Sequence, residues 1–271
     1  MRRILPLLCV FLSACTTIKI GEQDAFDTKR TVDLALIERL GGSLHQLRLE
    51  RDGVELDAWH IVQPESEATV ILYGGNGYLM VTARAQLQAL LSLPLNVLTF
   101  DYRGYGKSTG EPSVAALAED ALFVRDYAVQ ELGVAPERLI LHGHSLGSFV
   151  AMYVESSRDV AAVVLENPLT SVDDLVEGFV PWLFDPFVRF EVAPELQVHD
   201  NLERARVIER PLLVFSGTED PIAPDRMAKA LHEAAKGSTW ISIEGGGHND
   251  LPTAPDFGRA YAELLDELRA R

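Results

Sequence analysis

The sequence predicts an α/β domain with a mostly parallel central sheet, helices on both faces and a short cap insertion. Three observations predict it. Short continuous apolar runs recur between residues 69 and 243, helical periods separate them, and one interval, about residues 169–206, is too long for a plain connection. A chain of 271 residues, 47% hydrophobic and 24% charged, suffices for one such domain with a sizeable core.

At the N-terminus, Arg2 and Arg3 precede an apolar run from Ile4 to Leu12, and Leu12-Ser13-Ala14-Cys15 follows. A positive region, an apolar region and a small-residue cleavage site make an export signal. The run is about half of the ~20 apolar residues that span a bilayer, which argues for a leader rather than a transmembrane anchor. Its last four residues resemble the lipobox of bacterial lipoproteins. That resemblance implies that residues 1–14 are removed and that Cys15 becomes the lipidated first residue. Thr16 in the next position implies the outer membrane of the bacterial cell envelope, on its periplasmic face. The only two cysteines, Cys9 and Cys15, both lie here, so the remaining chain offers neither a disulfide nor a thiol nucleophile. Net charge is -16, and loss of Arg2 and Arg3 takes it to -18. Such a surface repels nucleic acid and anionic headgroups, so membrane attachment falls to the acyl chains on Cys15.

Residues 15–43, polar with one short possible helix from Thr31 to Leu40, read as a lipidated tether holding the domain off the bilayer, and residues 44–271 form the domain. Leu47-x-Leu49, Asp52-Gly53 and Val54-x-Leu56-x-Ala58 alternate around a turn and predict an opening β-hairpin. The runs Thr69 to Tyr73, Asn96 to Phe100, Arg138 to His142, Ala161 to Leu165, Pro211 to Ser216 and Thr239 to Ile243 are rich in Val, Ile and Leu, as strands buried on both faces require. Leu117, Ala121, Val124, Ala128 and Leu132 repeat at helical spacing between a Pro112-Ser113 start and a stop at Gly133. Met227, Leu231 and Ala234 mark a later helix, and Phe257, Tyr261, Leu264, Leu265 and Leu268 the last. Right-handed crossovers cover both faces of such a sheet and leave ligands at the carboxyl ends of the strands. The interval 169–206, with Trp182, Phe184, Phe187 and Phe190 among Pro181, Pro186 and Pro194, reads as a cap over those ends.

Gly143-His144-Ser145-Leu146-Gly147 follows one strand and precedes a helical stretch, the strand, sharp turn and helix context of a nucleophile elbow. Flanking glycines let strand and helix approach closely enough for Ser145 to project free. A serine hydroxyl needs a base to take its proton and an acid to hold that base in the right tautomer. Thr218-Glu219-Asp220-Pro221 supplies a carboxylate just past one strand, and Gly245-Gly246-Gly247-His248 an imidazole just past the next. Asp220 is preferred to Glu219 and Asp250 on position. His248 is preferred to His142 and His144, which lie in the elbow and are expected to pack against neighbouring loops. An oxyanion requires backbone donors. Leu146, after the nucleophile, offers one N–H, and Tyr73-Gly74-Gly75-Asn76-Gly77-Tyr78 offers the second, from Asn76 with Gly77 as the fallback.

Ile71 to Asn76, Phe100-Asp101-Tyr102-Arg103-Gly104-Tyr105-Gly106-Lys107-Ser108, Gly143 to Gly147, Leu165-Glu166-Asn167-Pro168, Ser216 to Asp220 and His248-Asn249-Asp250 together resemble the alpha/beta-hydrolase superfamily of serine hydrolases. The resemblance is strongest to its membrane-anchored depalmitoylase-like and prolyl-peptidase-like branch and covers roughly residues 50 to 265. It implies the α/β-hydrolase fold and the triad Ser145, Asp220 and His248. That branch usually carries His-Gly-Asn in the oxyanion loop. Gly74 stands here where the His would be, which predicts a less constrained loop. Asp101 and Arg103 read as a structural ion pair outside the site.

The leading expectation is a hydrolase of a carboxylic ester or thioester on a small or acyl-chain substrate, with the cap aromatics covering the chain. The same triad serves a peptidase acting on short peptides, and the sequence does not separate the two. A catalytically silent envelope binding protein would show a missing triad member, and none is missing. Dehalogenase chemistry would want Asp in place of Ser145. No metal-ligand cluster is apparent and no cofactor is implied.

Overall fold

A computed structural model describes residues 16–21, 43–178, 188–197 and 199–271. Cys15 with its export signal, the expected helix from Thr31 to Leu40, and Trp182, Phe184 and Phe187 lie outside the described residues.

An eight-stranded sheet carries the domain. It comprises β2 (Ser43–Arg51), β3 (Val54–Val62), β4 (Ala68–Tyr73), β5 (Leu95–Phe100), β6 (Leu139–His144), β7 (Ala162–Glu166), β9 (Leu212–Gly217) and β10 (Thr239–Ile243). Their spatial order is β10-β9-β7-β6-β4-β5-β3-β2. The hairpin β2–β3 and its junction with β5 are antiparallel, and every other pairing is parallel. All residues of β4, β6, β7 and β9 are buried, which explains why these strands read as unbroken apolar runs rather than alternating ones.

The helices α1 (Arg84–Leu91), α2 (Val114–Gln130), α3 (Leu146–Glu155), α7 (Asp225–Ala234) and α8 (Pro255–Ala270) make the crossovers and the C-terminal cover. Ser113 caps α2 by accepting from the Ala116 amide at 3.0 Å, as the Pro112-Ser113 start predicts. After β4 the chain moves to β5 on one side, whereas β6 returns to the other side of β4. The strand order therefore reverses between β4 and β6, and their carboxyl ends, Tyr73 and His144, open the crevice where such sheets bind ligands.

The cap contains α4 (Val172–Gly178), β8 (Val188–Val192), α5 (Pro194–Gln197) and α6 (Asn201–Val207). Its base is closed by a bridge between Ser171 and Asp200 and by Asn201, whose side-chain amide donates to the Leu169 carbonyl at 2.8 Å. One feature departs from the sequence reading. Residues 16–20, expected within a tether, form β1 (Thr16–Ile20), which pairs in parallel with β8 from Thr16 opposite Val188 to Ile20 opposite Val192. Two strands alone are marginal in water. Burial supports these two: Ile20, Phe190 and Val192 join Val114, Val172, Val176 and Leu196 in an apolar cluster between the cap and α2.

Candidate active site

β6 ends at His144, and Ser145 has φ 51° and ψ -116°, a conformation that costs a non-glycine residue and that the surroundings must hold. They do so on both sides. The Ser145 amide donates to the Glu166 carbonyl on β7 at 3.0 Å, and the Ser145 carbonyl accepts from the Ser148 amide at 2.9 Å. The flanking glycines are close-approach positions. A Cβ on Gly143 would lie 2.3 Å from the Gly147 carbonyl oxygen, and one on Gly147 would lie 2.1 Å from the Tyr73 carbonyl oxygen. Leu146 begins α3, so its amide belongs to the unsatisfied first turn of a helix.

Asp220 and His248 come together from the loops after β9 and β10. His248 Nδ1 donates to Asp220 Oδ2 at 2.6 Å, and Asp220 Oδ1 accepts from the amides of Ile222 (2.8 Å) and Ala223 (3.0 Å). Burial alone would raise the Asp220 carboxyl, but the His248 hydrogen bond and the two amides outweigh it and hold the acid below the ordinary carboxylate range. The two loops are pressed together through glycine: a Cβ on Gly217 would lie 2.2 Å from the Gly246 carbonyl oxygen. Glu219 is exposed, and Asp250 is occupied by the Gly247 amide at 2.8 Å, so neither competes with Asp220. Ser145 and His248 line one cavity, and their side chains are not hydrogen-bonded to each other. The Asp–His half of the constellation is closed and the Ser–His half open.

His144 packs against the base loop as expected. Its Nε2 donates to the His248 carbonyl at 2.8 Å, and burial pushes its imidazole down toward the neutral form. Two further residues support the site: Asn167, with no role in the sequence reading, and His142, which is corrected from packing against a neighbouring loop to standing between β7 and α8. Asn167, at φ 44°, donates from Nδ2 to the Gly247 and His248 carbonyls, both at 3.0 Å, and accepts at Oδ1 from the Gly217 amide at 3.0 Å, tying the acid loop to the base loop. His142 bridges Glu166 (3.0 Å) and Tyr261 (2.8 Å) beneath the elbow. The Asn167-Pro168 dipeptide is a turn signal that could have pointed to the first of these.

Asn76 lines the cavity beside Gly75, and its Oδ1 accepts from the Tyr105 hydroxyl at 3.2 Å. A Cβ on Gly75 would lie 3.2 Å from Ser145 Cβ, so this loop runs against the nucleophile. The less constrained loop expected from Gly74 is corrected. The Tyr78 ring fills the space in which a Gly74 side chain would stand, a Cβ there falling 1.8 Å from Tyr78 Cγ. Tyr78 is fastened by its hydroxyl to Thr99 at 2.7 Å, and the Gly74 carbonyl accepts from the Tyr102 hydroxyl at 2.8 Å. Bulk absent at position 74 is supplied four residues later.

The Asp101–Arg103 pair is also corrected. Arg103 makes a two-pronged bridge to Asp120 at 2.8 and 2.7 Å, whereas Asp101 Oδ1 accepts from the Met80 amide at 2.8 Å. Burial pushes the Asp101 carboxyl up to about 6, against about 3.9 in an unfolded chain. Its contribution to stability is therefore complete below pH ~4 and lost as pH rises through about 6. Asp101→Asn should remove that dependence. The difference in unfolding free energy between wild type and variant should change by on the order of 1–3 kcal/mol between pH 4 and pH 7, measured by urea titration. A constant difference would refute it.

The cavity over these residues has a volume of about 550 Å³, within the range of small-molecule sites. Gly75, Asn76, Ser145 and His248 line it. Leu146, Phe149, Val150 and Tyr153 of α3, Val114 and Leu117 of α2, and Val172, Leu175 and Val176 of α4 form the walls, with Ile20 and Phe190 from the β1–β8 pair. No Asp, Glu, Lys or Arg side chain reaches it among the described residues.

Residues 73–206 match the model of the alpha/beta hydrolase family, and residues 188–256 match a model described as TAP-like protein. An uncharacterised protein of Mycobacterium tuberculosis is 34% identical over 223 residues, covering 81% of this chain and 75% of that protein. Protein bem46 of Schizosaccharomyces pombe is 31% identical over 229 residues, covering 80% of this chain and 74% of that protein. Among solved structures, an esterase of Pyrococcus furiosus superposes with a TM-score of 0.70 at 18% identity, covering 90% of this chain and 97% of that one.

Proposed function

Because this chain belongs to the alpha/beta hydrolase family, we propose that it is a serine hydrolase that cleaves a carboxylic ester or thioester of an acyl substrate. The observation that carries the reading is the 2.6 Å His248–Asp220 hydrogen bond opening, with the strained Ser145, into one apolar cavity. His248 Nε2 takes the Ser145 proton as Oγ attacks the acyl carbon, and Asp220 keeps the proton on Nδ1 and offsets the charge of the imidazolium that forms. The Leu146 and Asn76 amides receive the oxyanion. Collapse of the tetrahedral intermediate breaks the bond to the alcohol or thiol, which leaves with the proton from His248. Water then repeats the cycle on the acyl-enzyme, and no cofactor takes part.

The apolar walls favour an acyl group over the polar backbone of a peptide. Cys15 is proposed as the lipid attachment site, holding the enzyme on the envelope membrane, on the periplasmic face of the outer membrane, near acylated substrates. A fluorophosphonate probe with peptide mapping, run beside hydrolysis of nitrophenyl esters of graded chain length, tests the reading. Adduct on Ser145 and turnover that rises and then falls with chain length are expected. A folded sample that takes no probe would overturn it in favour of a silent binding protein.

A further inference from the structure

His199 is a polar group in an apolar wall. It lies between α5 and α6, is 9% exposed, and lines the cavity next to Phe149 and Leu196. Its ring rests on Phe149 with the centroids 5.7 Å apart. Nδ1 is buried without a hydrogen-bond partner. Nε2 has no partner among the described residues either but is not fully buried, and His199 lines the cavity.

Burial, reinforced by the Arg204 cation, pushes the ring down to about 4, and it is neutral at physiological pH. A neutral imidazole carries one donor and one acceptor. A buried N–H facing no acceptor is the rarer orphan, so the bare lone pair belongs on Nδ1 and the proton on Nε2. The result is an N–H donor on a cavity whose walls are mostly apolar, Tyr153 being the polar side chain on the α3 wall. Phe149 stands one turn of α3 beyond Ser145, about 6 Å along the helix axis, and His199 rests on its ring.

We propose that the acyl chain of the substrate carries an accepting oxygen, of a hydroxyl, ether or second ester, and that His199 Nε2 selects for it. This rests on the serine-hydrolase reading. A site built to meet an oxygen discriminates against the plain chain that leaves its donor unpaired.

The test is an oxygen scan with the purified full chain. Nitrophenyl esters of one acyl length are compared, each with a single methylene replaced by an ether oxygen at successive positions. In wild type one position should raise kcat/KM roughly threefold to tenfold above the plain chain, the range of one hydrogen bond. His199→Phe should flatten the profile, and His199→Gln, whose amide still donates, should retain the peak. A flat profile in wild type, or a peak that survives in His199→Phe, overturns the assignment. Wild-type adduct on Ser145 with a flat profile removes only the role of His199. Absence of the adduct removes the hydrolase reading and this one with it.

Discussion

Ser145→Ala is expected to lower ester turnover by about four orders of magnitude or more while leaving the unfolding transition where it was. Ser145 is held by its backbone, through the Glu166 carbonyl and the Ser148 amide, and its hydroxyl supports nothing else in the fold. Removing Oγ therefore takes away the nucleophile at almost no structural expense. His144→Ala is the informative companion. His144 lies one residue from the nucleophile, but its ring nitrogen holds the His248 carbonyl, so its loss should loosen the base loop and cost one to two orders of magnitude. Steady-state kinetics on a nitrophenyl ester checks both. Equal losses at the two positions would reassign the base.

Gly147→Ala is expected to destabilise the fold strongly. Its new Cβ would sit 2.1 Å from the Tyr73 carbonyl oxygen and 2.8 Å from that of Gly74. Both oxygens are held: Tyr73 lies opposite Gly143 in the β4–β6 pairing, and the Gly74 carbonyl accepts from the Tyr102 hydroxyl. The elbow must distort or α3 must lift from the sheet, at a cost of at least about 3 kcal/mol. The variant should melt far below wild type and take no fluorophosphonate. Gly258→Ala on α8, where an added Cβ meets nothing within 4 Å, is the matched control and should gain about 0.5–1 kcal/mol from helix propensity. Gly147→Ala melting with wild type would show that the elbow is softer than its contacts imply.

The sheet was legible in the sequence because its central strands are buried on both faces, and an unbroken run such as Leu139-Ile140-Leu141 has few other uses. The elbow was legible because its constraint is local: two glycines, a serine, a strand before and a helix after. α1 carries no such signal, since Ala83 before it offers no capping side chain. Asn167 escaped for a different reason. Its three hydrogen bonds reach residues 50 to 81 positions away, and nothing nearby in the chain announces them. Arg103 shows the limit of reading charges: proximity to Asp101 suggested a pair, but the partner was Asp120, one helix on. His199 reads as an ordinary cap histidine until its unpartnered nitrogens are seen.

The pairing of β1 with β8 has a kinetic consequence. Thr16 meets Val188 about 170 residues further along the chain, whereas β4, β5 and β6 pair across far shorter separations. Loop-closure entropy delays contacts of such span, and a chain emerging from the N-terminus holds β1 without its partner until two thirds of the polypeptide has been made. The part of the sheet from β2 to β7 can therefore assemble before β1 finds β8, and the wall that includes Ile20 closes over it afterwards.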